Sequence, residues 1–347
     1  MNALAQKWSD PVITTRYNAA RAATNARLAL LREAVAAKDA AEVATQTQWL
    51  LSDAAPKVYF ALRIGRSGKV GLISPSACIK AALNLKLTAT CTEKVPVILR
   101  KKKSGKVRLI LNFGLRYRVA QNIIRCVLSV HHRPRSYQFT HRGVPKAVTR
   151  VRDLINQGNH WFAHLDIKEF YPSFRIEKLR ENASLGGLLP PKMIAAFVHA
   201  RELEIGVRAE QLKRFPYLSY SDLLWEARRG IPTGSCASSV VAPMMVSRMS
   251  LDAATADALS NYEDDFFLLA PTKDELQERI EVLMGAVKTI PGGHFKLELK
   301  SSGRLGETEA CFLGHAMRLE GDETHIMLTN ANREGLFSVL TGLVKVF

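Results

Sequence analysis

The stretch Asn261-Tyr262-Glu263-Asp264-Asp265-Phe266-Phe267-Leu268-Leu269-Ala270 interrupts an apolar, aromatic run with a short acidic break. Apolar halves on either side of such a break predict a buried hairpin with Glu263 and Asp264 at its bend. Two adjacent carboxylates are costly there, because like charges withdrawn from water destabilise each other unless a cation offsets them. The pair reads as a metal-ligand set. The plainer alternative is a surface turn that happens to carry acids.

A second acid lies upstream. Trp161-Phe162-Ala163-His164-Leu165-Asp166-Ile167-Lys168-Glu169-Phe170-Tyr171-Pro172-Ser173-Phe174 is an apolar strand that ends in Asp166 and is followed by an aromatic turn stopped by Pro172. The chain between Asp166 and Asp264 is long enough for a helical excursion that returns a neighbouring strand to the same sheet. Carboxylates converging from adjacent strands suit Mg²⁺, a hard cation that takes oxygen ligands and keeps positions for water and phosphate. Two such ions about 3.5–4 Å apart support in-line phosphoryl transfer, the chemistry of a polymerase.

In this setting Leu165-Asp166-Ile167-Lys168-Glu169-Phe170-Tyr171-Pro172-Ser173 and Tyr262-Glu263-Asp264-Asp265 resemble the first palm motif and the Tyr-x-Asp-Asp box of the reverse transcriptase family. Gly230-Ile231-Pro232-Thr233-Gly234-Ser235 is similar to that family's template- and nucleotide-contacting loop, and Cys311-Phe312-Leu313-Gly314-His315 to its primer grip. The resemblance covers about residues 95 to 320. It implies an α+β right-hand polymerase with palm and fingers, an N-terminal helical extension and little or no thumb. The expected divisions are 1–93 for the extension, 94–163 for the fingers and 164–320 for the palm, with a helical finger-side connection near 176–229. Residues 321–347 would form a short C-terminal segment or thumb remnant.

Site residues follow from the same resemblance. Asp166, Asp264 and Asp265 are the expected catalytic and metal-binding acids, with the backbone carbonyl of Ile167 as a further ligand. Two Mg²⁺ ions are expected, with Mn²⁺ able to replace them. Thr233 and Gly234 are expected at the nucleotide, and Phe312, Leu313 and Gly314 at the primer. Tyr171, five positions after Asp166, would lie beneath the sugar and exclude a 2′-hydroxyl, favouring deoxynucleotides. It could equally pack under the palm, and the two roles are compatible.

Arg100-Lys101-Lys102-Lys103-Ser104-Gly105-Lys106-Val107-Arg108 reads as a basic hairpin turning at Ser104-Gly105. By resemblance Lys102 and Arg108 clamp the triphosphate; the alternative is a solvated basic turn. Ser136-Tyr137-Gln138-Phe139-Thr140-His141-Arg142-Gly143 looks like the next finger segment. Phe295-Lys296-Leu297-Glu298-Leu299-Lys300 alternates as a half-buried strand, and Lys300 is either the family's general acid for pyrophosphate or an exposed strand lysine. The loop at Thr233 departs from the usual family form, with Cys236, Ser239 and Pro243 at positions that commonly hold other residues.

Composition points the same way. With 49 Lys+Arg against 32 Asp+Glu and a formal charge of +17, the chain is suited to a polyanion, binding with counterion release. No apolar run approaches the 18 or so residues of a spanning helix, so a cytoplasmic protein without a membrane partner is expected. The five cysteines show no paired spacing and read as reduced thiols.

Thr15 to Leu51, free of glycine and proline, predicts one or two amphipathic helices, either an arm that grips RNA or another protomer or a buttress on the fingers. Thr272-Lys273-Asp274-Glu275 has capping-box spacing ahead of an apolar stripe that should back the palm sheet. The few residues after Gly314 and the apolar ending Leu336 to Phe347 leave two readings: a minimal enzyme in which RNA, the N-terminal helices or a second protomer replaces the thumb, or a sequence that stops short of the full protein's end.

The expected function is RNA-directed DNA synthesis from dNTPs on an RNA template or structured noncoding RNA, yielding DNA, as in retron-type and phage-defence reverse transcriptases of bacteria. Template-independent or protein-primed DNA synthesis is the nearest rival. An RNA-binding scaffold without turnover is the rival from another class.

Overall fold

Asp10 accepts a hydrogen bond from the Val12 amide at 2.8 Å, and Pro11 supplies the fixed φ suited to a first helical position, so a helix begins here. The computed structural model describes residues 8–89, 91–101, 105, 107–321 and 323–334. Its helices include α1 (Pro11–Ala37), α2 (Ala40–Ser52), α3 (Ala54–Arg66), α4 (Pro75–Leu83), α5 (Leu115–His131), α6 (Val144–Asn156), α7 (Tyr220–Ala227) and α8 (Lys273–Val287). The strands are β1 (Val95–Lys101), β2 (Val107–Leu111), β3 (Trp161–Ile167), β4 (Ile205–Gly206) and β5 (Leu259–Tyr262). They continue with β6 (Asp265–Ala270), β7 (Leu297–Arg304), β8 (Ala310–Phe312), β9 (His315–Glu320) and β10 (Glu323–Leu328). The Leu336 to Phe347 ending lies outside the described residues.

The chain divides into two packed units, drawn from Met1–His132 with Tyr171–Ala242 and from Arg133–Phe170 with Pro243–Phe347. In the first, α1 packs on α2, α3 and α5, burying Leu28, Leu31, Leu50, Phe60 and Ile124. Polar caps punctuate these helices: Asp39 accepts from the Glu42 amide and Asp53 from that of Ala55. A small sheet of order β2-β1-β4 completes this unit, β1 and β2 pairing antiparallel and β4 joining β1 in parallel.

The second unit is built on a four-stranded sheet of order β5-β6-β3-β7, with every neighbour antiparallel. Helix α6 places Ala147, Val151 and Leu154 in one cluster with Phe162, Phe267 and Leu269. Strand alternation turns Phe266 and Leu268 to the opposite face, and both are fully buried. Thr272 caps α8 by accepting from the Glu275 amide at 3.2 Å, and α8 packs on β6 and β3 through a stripe that includes Leu276, Ile280 and Leu283. A second sheet of order β10-β9-β8 adds Ala310, Phe312 and Met317 to the α6 cluster.

Residues 133–163, expected with the fingers, pack in this second unit. The cause is a tertiary pairing: the Asn261 amide donates to Tyr137 O at 2.7 Å and the Phe139 amide to Asn261 O at 2.9 Å. The connection near 176–229 falls in the first unit. Ser235 Oγ accepts from the Ala237 amide and closes a local turn, and a helix runs from Ser238 to Val246. All five cysteines are free. Among the described residues no helix is long and apolar enough to cross a membrane.

Candidate active site

The β5–β6 hairpin bends at Glu263 and Asp264, between Tyr262 and Asp265, which are register partners. Glu263 takes a left-handed φ of 56°, which a non-glycine residue adopts only where its surroundings hold it. Here the buried Asn261 carboxamide donates to both Glu263 O and Asp265 O, at 3.0 and 3.1 Å, and the Glu263 amide donates to Thr140 Oγ1 at 2.9 Å. Thr140 thus ties the bend to the segment before α6. The Ile167 amide donates to Asp264 O at 3.0 Å, extending the β3–β6 ladder past the Asp166–Asp265 pair.

This register brings the acids together. Asp166, Asp264 and Asp265 each offer a carboxylate oxygen, all within 4.8 Å of one another. Lys300 Nζ bridges Asp166 Oδ1 at 2.9 Å and Asp265 Oδ1 at 3.0 Å. Lys300 sits where β7 shifts register against His164 and Leu165, a bulge that sets two residues of β7 against one of β3. His164 Nε2 lies 3.0 Å from the same Asp265 oxygen. Sequence reading passed over His164; its signal is alternation, since two positions before Asp166 is the same face of the strand.

Charge in the cluster is unevenly shared. Burial, reinforced by Asp166 and then Asp265, pushes the Asp264 carboxyl up to about 6. Burial also works to raise Asp265, but hydrogen bonds from His164 and Lys300 outweigh it and hold that carboxyl below its usual range. For Lys300 burial works against the charge, and the two aspartates overcome it, keeping the ammonium above its ordinary value.

The remaining expected residues fall in two places. Lys102 lies outside the described residues. Arg108 on β2 is exposed and faces Arg100 across the hairpin. Thr233 O accepts from the Leu111 amide at 2.9 Å, and at Gly234 a Cβ would come within 2.3 Å of Leu111 O, so the loop lies backbone to backbone against β2. Tyr171 opens a short 3₁₀ turn and is partly exposed, and its carbonyl accepts from the Ile231 amide at 3.0 Å. Phe312 is 1% exposed and packs 5.1 Å from Phe267 and 5.8 Å from His164, so its ring is part of the core. Leu313 and Gly314 form the bend behind it, with φ of 49° and 78°.

Gly230 governs Tyr171. Its φ is +61°, and a Cβ there would lie 1.9 Å from Tyr171 O and 2.7 Å from Pro172 Cα. Gly230→Ala is expected to lower stability by about 2–4 kcal/mol, from the strained φ and the clash together. It should also displace the Tyr171–Pro172 backbone. A variant with wild-type melting would show that the contact is slack.

A family model described as reverse transcriptase (RNA-dependent DNA polymerase) matches residues 99–316, more than half of the chain. The chain belongs to the reverse transcriptase family. Among solved structures, this family member is similar to apo telomerase from Candida tropicalis truncated from its C-terminal domain, at 13% identity and a TM-score of 0.38. That match covers 68% of this chain and 56% of the telomerase chain, so the chain spans little more than half of that relative's length. Comparison with curated proteins gives no match.

Reverse transcriptases normally work with divalent metals, and the three converging carboxylates of this one are the hard oxygen donors such an ion takes. Lys300 competes for the same oxygens. Lys300→Met is therefore expected to lower the melting temperature in EDTA and to enlarge the rise on adding Mg²⁺ relative to wild type. Equal rises in the two proteins would place the ion elsewhere.

Proposed function

We propose that the chain synthesises DNA on an RNA template, with the second unit as the palm and the β1–β2 hairpin among the fingers of a right-hand polymerase. The observation that carries this reading is the convergence of the Asp166, Asp264 and Asp265 carboxylates within 4.8 Å at the end of one antiparallel sheet. Asp166 and Asp264, with the Ile167 carbonyl, would hold divalent ions, and Asp265 would support them. When bound, Mg²⁺ supplies Lewis-acid stabilisation of charge on the phosphoryl oxygens and lowers the pKa of the attacking 3′-hydroxyl.

The protein's own residues do the positioning. His164 and Lys300 keep Asp265 ionised. Arg108 and Lys102 neutralise the triphosphate, with Thr233 and Gly234 on the loop against β2. Tyr171 limits the room beneath the sugar. Lys300, protonated beside the acids, would give a proton to the departing pyrophosphate.

The test is incorporation of labelled dNTPs and NTPs with Mg²⁺ on an annealed RNA template and primer. Incorporation dictated by the template is expected. Incorporation indifferent to template would favour non-templated or protein-primed synthesis, and none at all would favour an RNA-binding scaffold. The finer setting is a bacterial cytoplasmic enzyme of retron or phage-defence type with a dedicated noncoding RNA. Protection against phage should vanish in an Asp264→Ala, Asp265→Ala double variant; full protection by that variant would rule the setting out.

A further inference from the structure

The β1–β2 hairpin presents two faces with different surroundings. Its register pairs Leu99 with Leu109 and Arg100 with Arg108, so alternation places Arg100, Arg108 and Ile110 on one face and Leu99, Val107 and Leu109 on the other. A Cβ at Gly234 would lie 3.3 Å from Ile110 Cγ2, which puts the first face toward the nucleotide-binding candidates. The second face walls a cavity of about 330 Å³, completed by Leu218, Leu223 and Trp225, for which the proposed reaction has no use.

The chemistry of this cavity is specific. Trp225 leaves 66% of its surface exposed at an otherwise apolar slot, with the Arg229 guanidinium 4.9 Å from its ring. Asp222 and Glu226, within one turn of α7, also line it. Glu226 is paired with Arg229 at 2.8 Å, whereas Asp222 is exposed. Gln211 Oε1 accepts from the Leu99 amide at 3.0 Å, tying the helix that carries Lys213 and Arg214 to the same strand. Between Arg100 and Arg108 the sequence holds six basic residues and no acid. Tyr217 and Tyr220, 66% and 50% exposed, stand just before Trp225 in the chain.

A basic surround attracts phosphates. A carboxylate repels them but accepts hydrogen bonds from base amino and imino groups, and an exposed indole offers a stacking surface. We infer that this cavity takes an unpaired base of single-stranded RNA, stacked on Trp225 and donating to Asp222, while Lys101, Lys213 and Arg214 meet the backbone. The inference deepens the RNA-directed reading and rests on it for the identity of the strand.

The test is fluorescence anisotropy with labelled single-stranded oligocytidylate RNA, an abasic RNA of the same length and the matching DNA. Wild type is compared with Trp225→Ala and Trp225→Phe. Because the side chain is exposed, its truncation leaves the core intact, and the Phe variant keeps a ring. Trp225→Ala should weaken RNA binding about 5- to 100-fold, Trp225→Phe only a few-fold, and neither should change abasic binding or the salt slope. The inference is overturned by equal affinity of wild type and Trp225→Ala, by equal loss on the abasic strand, or by binding of DNA alone. Absence of RNA binding by wild type would also overturn it and leave the cavity to a protein partner. Trp225-dependent RNA binding without dNTP incorporation would keep the cavity's role and sink the polymerase; incorporation with no effect of Trp225 on binding would do the reverse.

Discussion

Asp264→Asn is expected to abolish template-directed incorporation, by about a thousandfold or more, and to yield a protein more stable than wild type in the absence of divalent ions. The activity loss follows from replacing a charged oxygen donor by a neutral amide of the same shape, which removes one of the three carboxylates that converge within 4.8 Å. A thousandfold corresponds to about 4 kcal/mol of transition-state stabilisation, within the range a metal site supplies. The stability gain follows from electrostatics. Burial and the neighbouring Asp166 and Asp265 carry the Asp264 carboxyl from its ordinary 3.8 to about 6.

A carboxyl whose folded pKa is raised favours the folded state only while it keeps its proton. Below about pH 3 the group is protonated in both states and costs nothing. Between pH 4 and 6 the unfolded chain releases the proton more readily than the folded one, so stability falls as pH rises, by at most about 3 kcal/mol above pH 6. The Asn variant lacks this penalty. Melting temperatures in EDTA should therefore coincide at about pH 3 and diverge as the pH rises toward about 6, the variant being higher. Curves that stay parallel, or a variant that still extends a primer, would show that Asp264 is not the strained ligand described.

The parts of this site that were legible in the sequence are those in which the chemistry is local. Acids inside an apolar run mark the β5–β6 bend because charge is costly in a strand interior beside Phe266 and Phe267, and the bend falls at Glu263 and Asp264 as expected. The capping box at Thr272 likewise needs only its own four residues. What escaped depends on pairing. The bulge that seats Lys300 on Asp166 and Asp265 is a property of how β7 meets β3, and alternation within β7 alone cannot locate it. Phe312 has the composition of a contact residue and of a core residue alike; only the packing of Phe267 and His164 around it decides. The placement of residues 133–163 with the β3 sheet rests on Asn261 hydrogen bonding to Tyr137 and Phe139, a link across more than a hundred positions that no periodicity records.

The cation demanded by the half-buried acids shows the same division. Sequence reading required one and assigned it to a metal, whereas Lys300, with His164 beside it, already fills part of that role. The two assignments are compatible, because Lys300 meets Asp166 and Asp265 and leaves Asp264, the carboxyl with the raised pKa, without a cation of its own among the contacts described. The residual charge is what a divalent ion would relieve.

Tyr171→Ala is expected to reduce discrimination against ribonucleotides by about 10- to 100-fold while leaving dNTP incorporation within a few-fold of wild type. A site that merely lacks room rejects an extra hydroxyl by no more than such a factor, so removing the obstruction recovers a comparable amount. The backbone here is well held: Tyr171 O accepts from the Ile231 amide, and Gly230 approaches too closely for any side chain. Truncating the ring therefore leaves the backbone in place. Tyr171→Phe keeps the bulk and should retain the selectivity, which separates a steric gate from a hydrogen bond made by the phenol. The measurement is kcat/KM for each dNTP and its ribonucleotide on one template, with KM and kcat resolved. The gate predicts that the change falls on the ribonucleotide alone, whereas a residue that only packs would lower both substrates together and leave their ratio where it was.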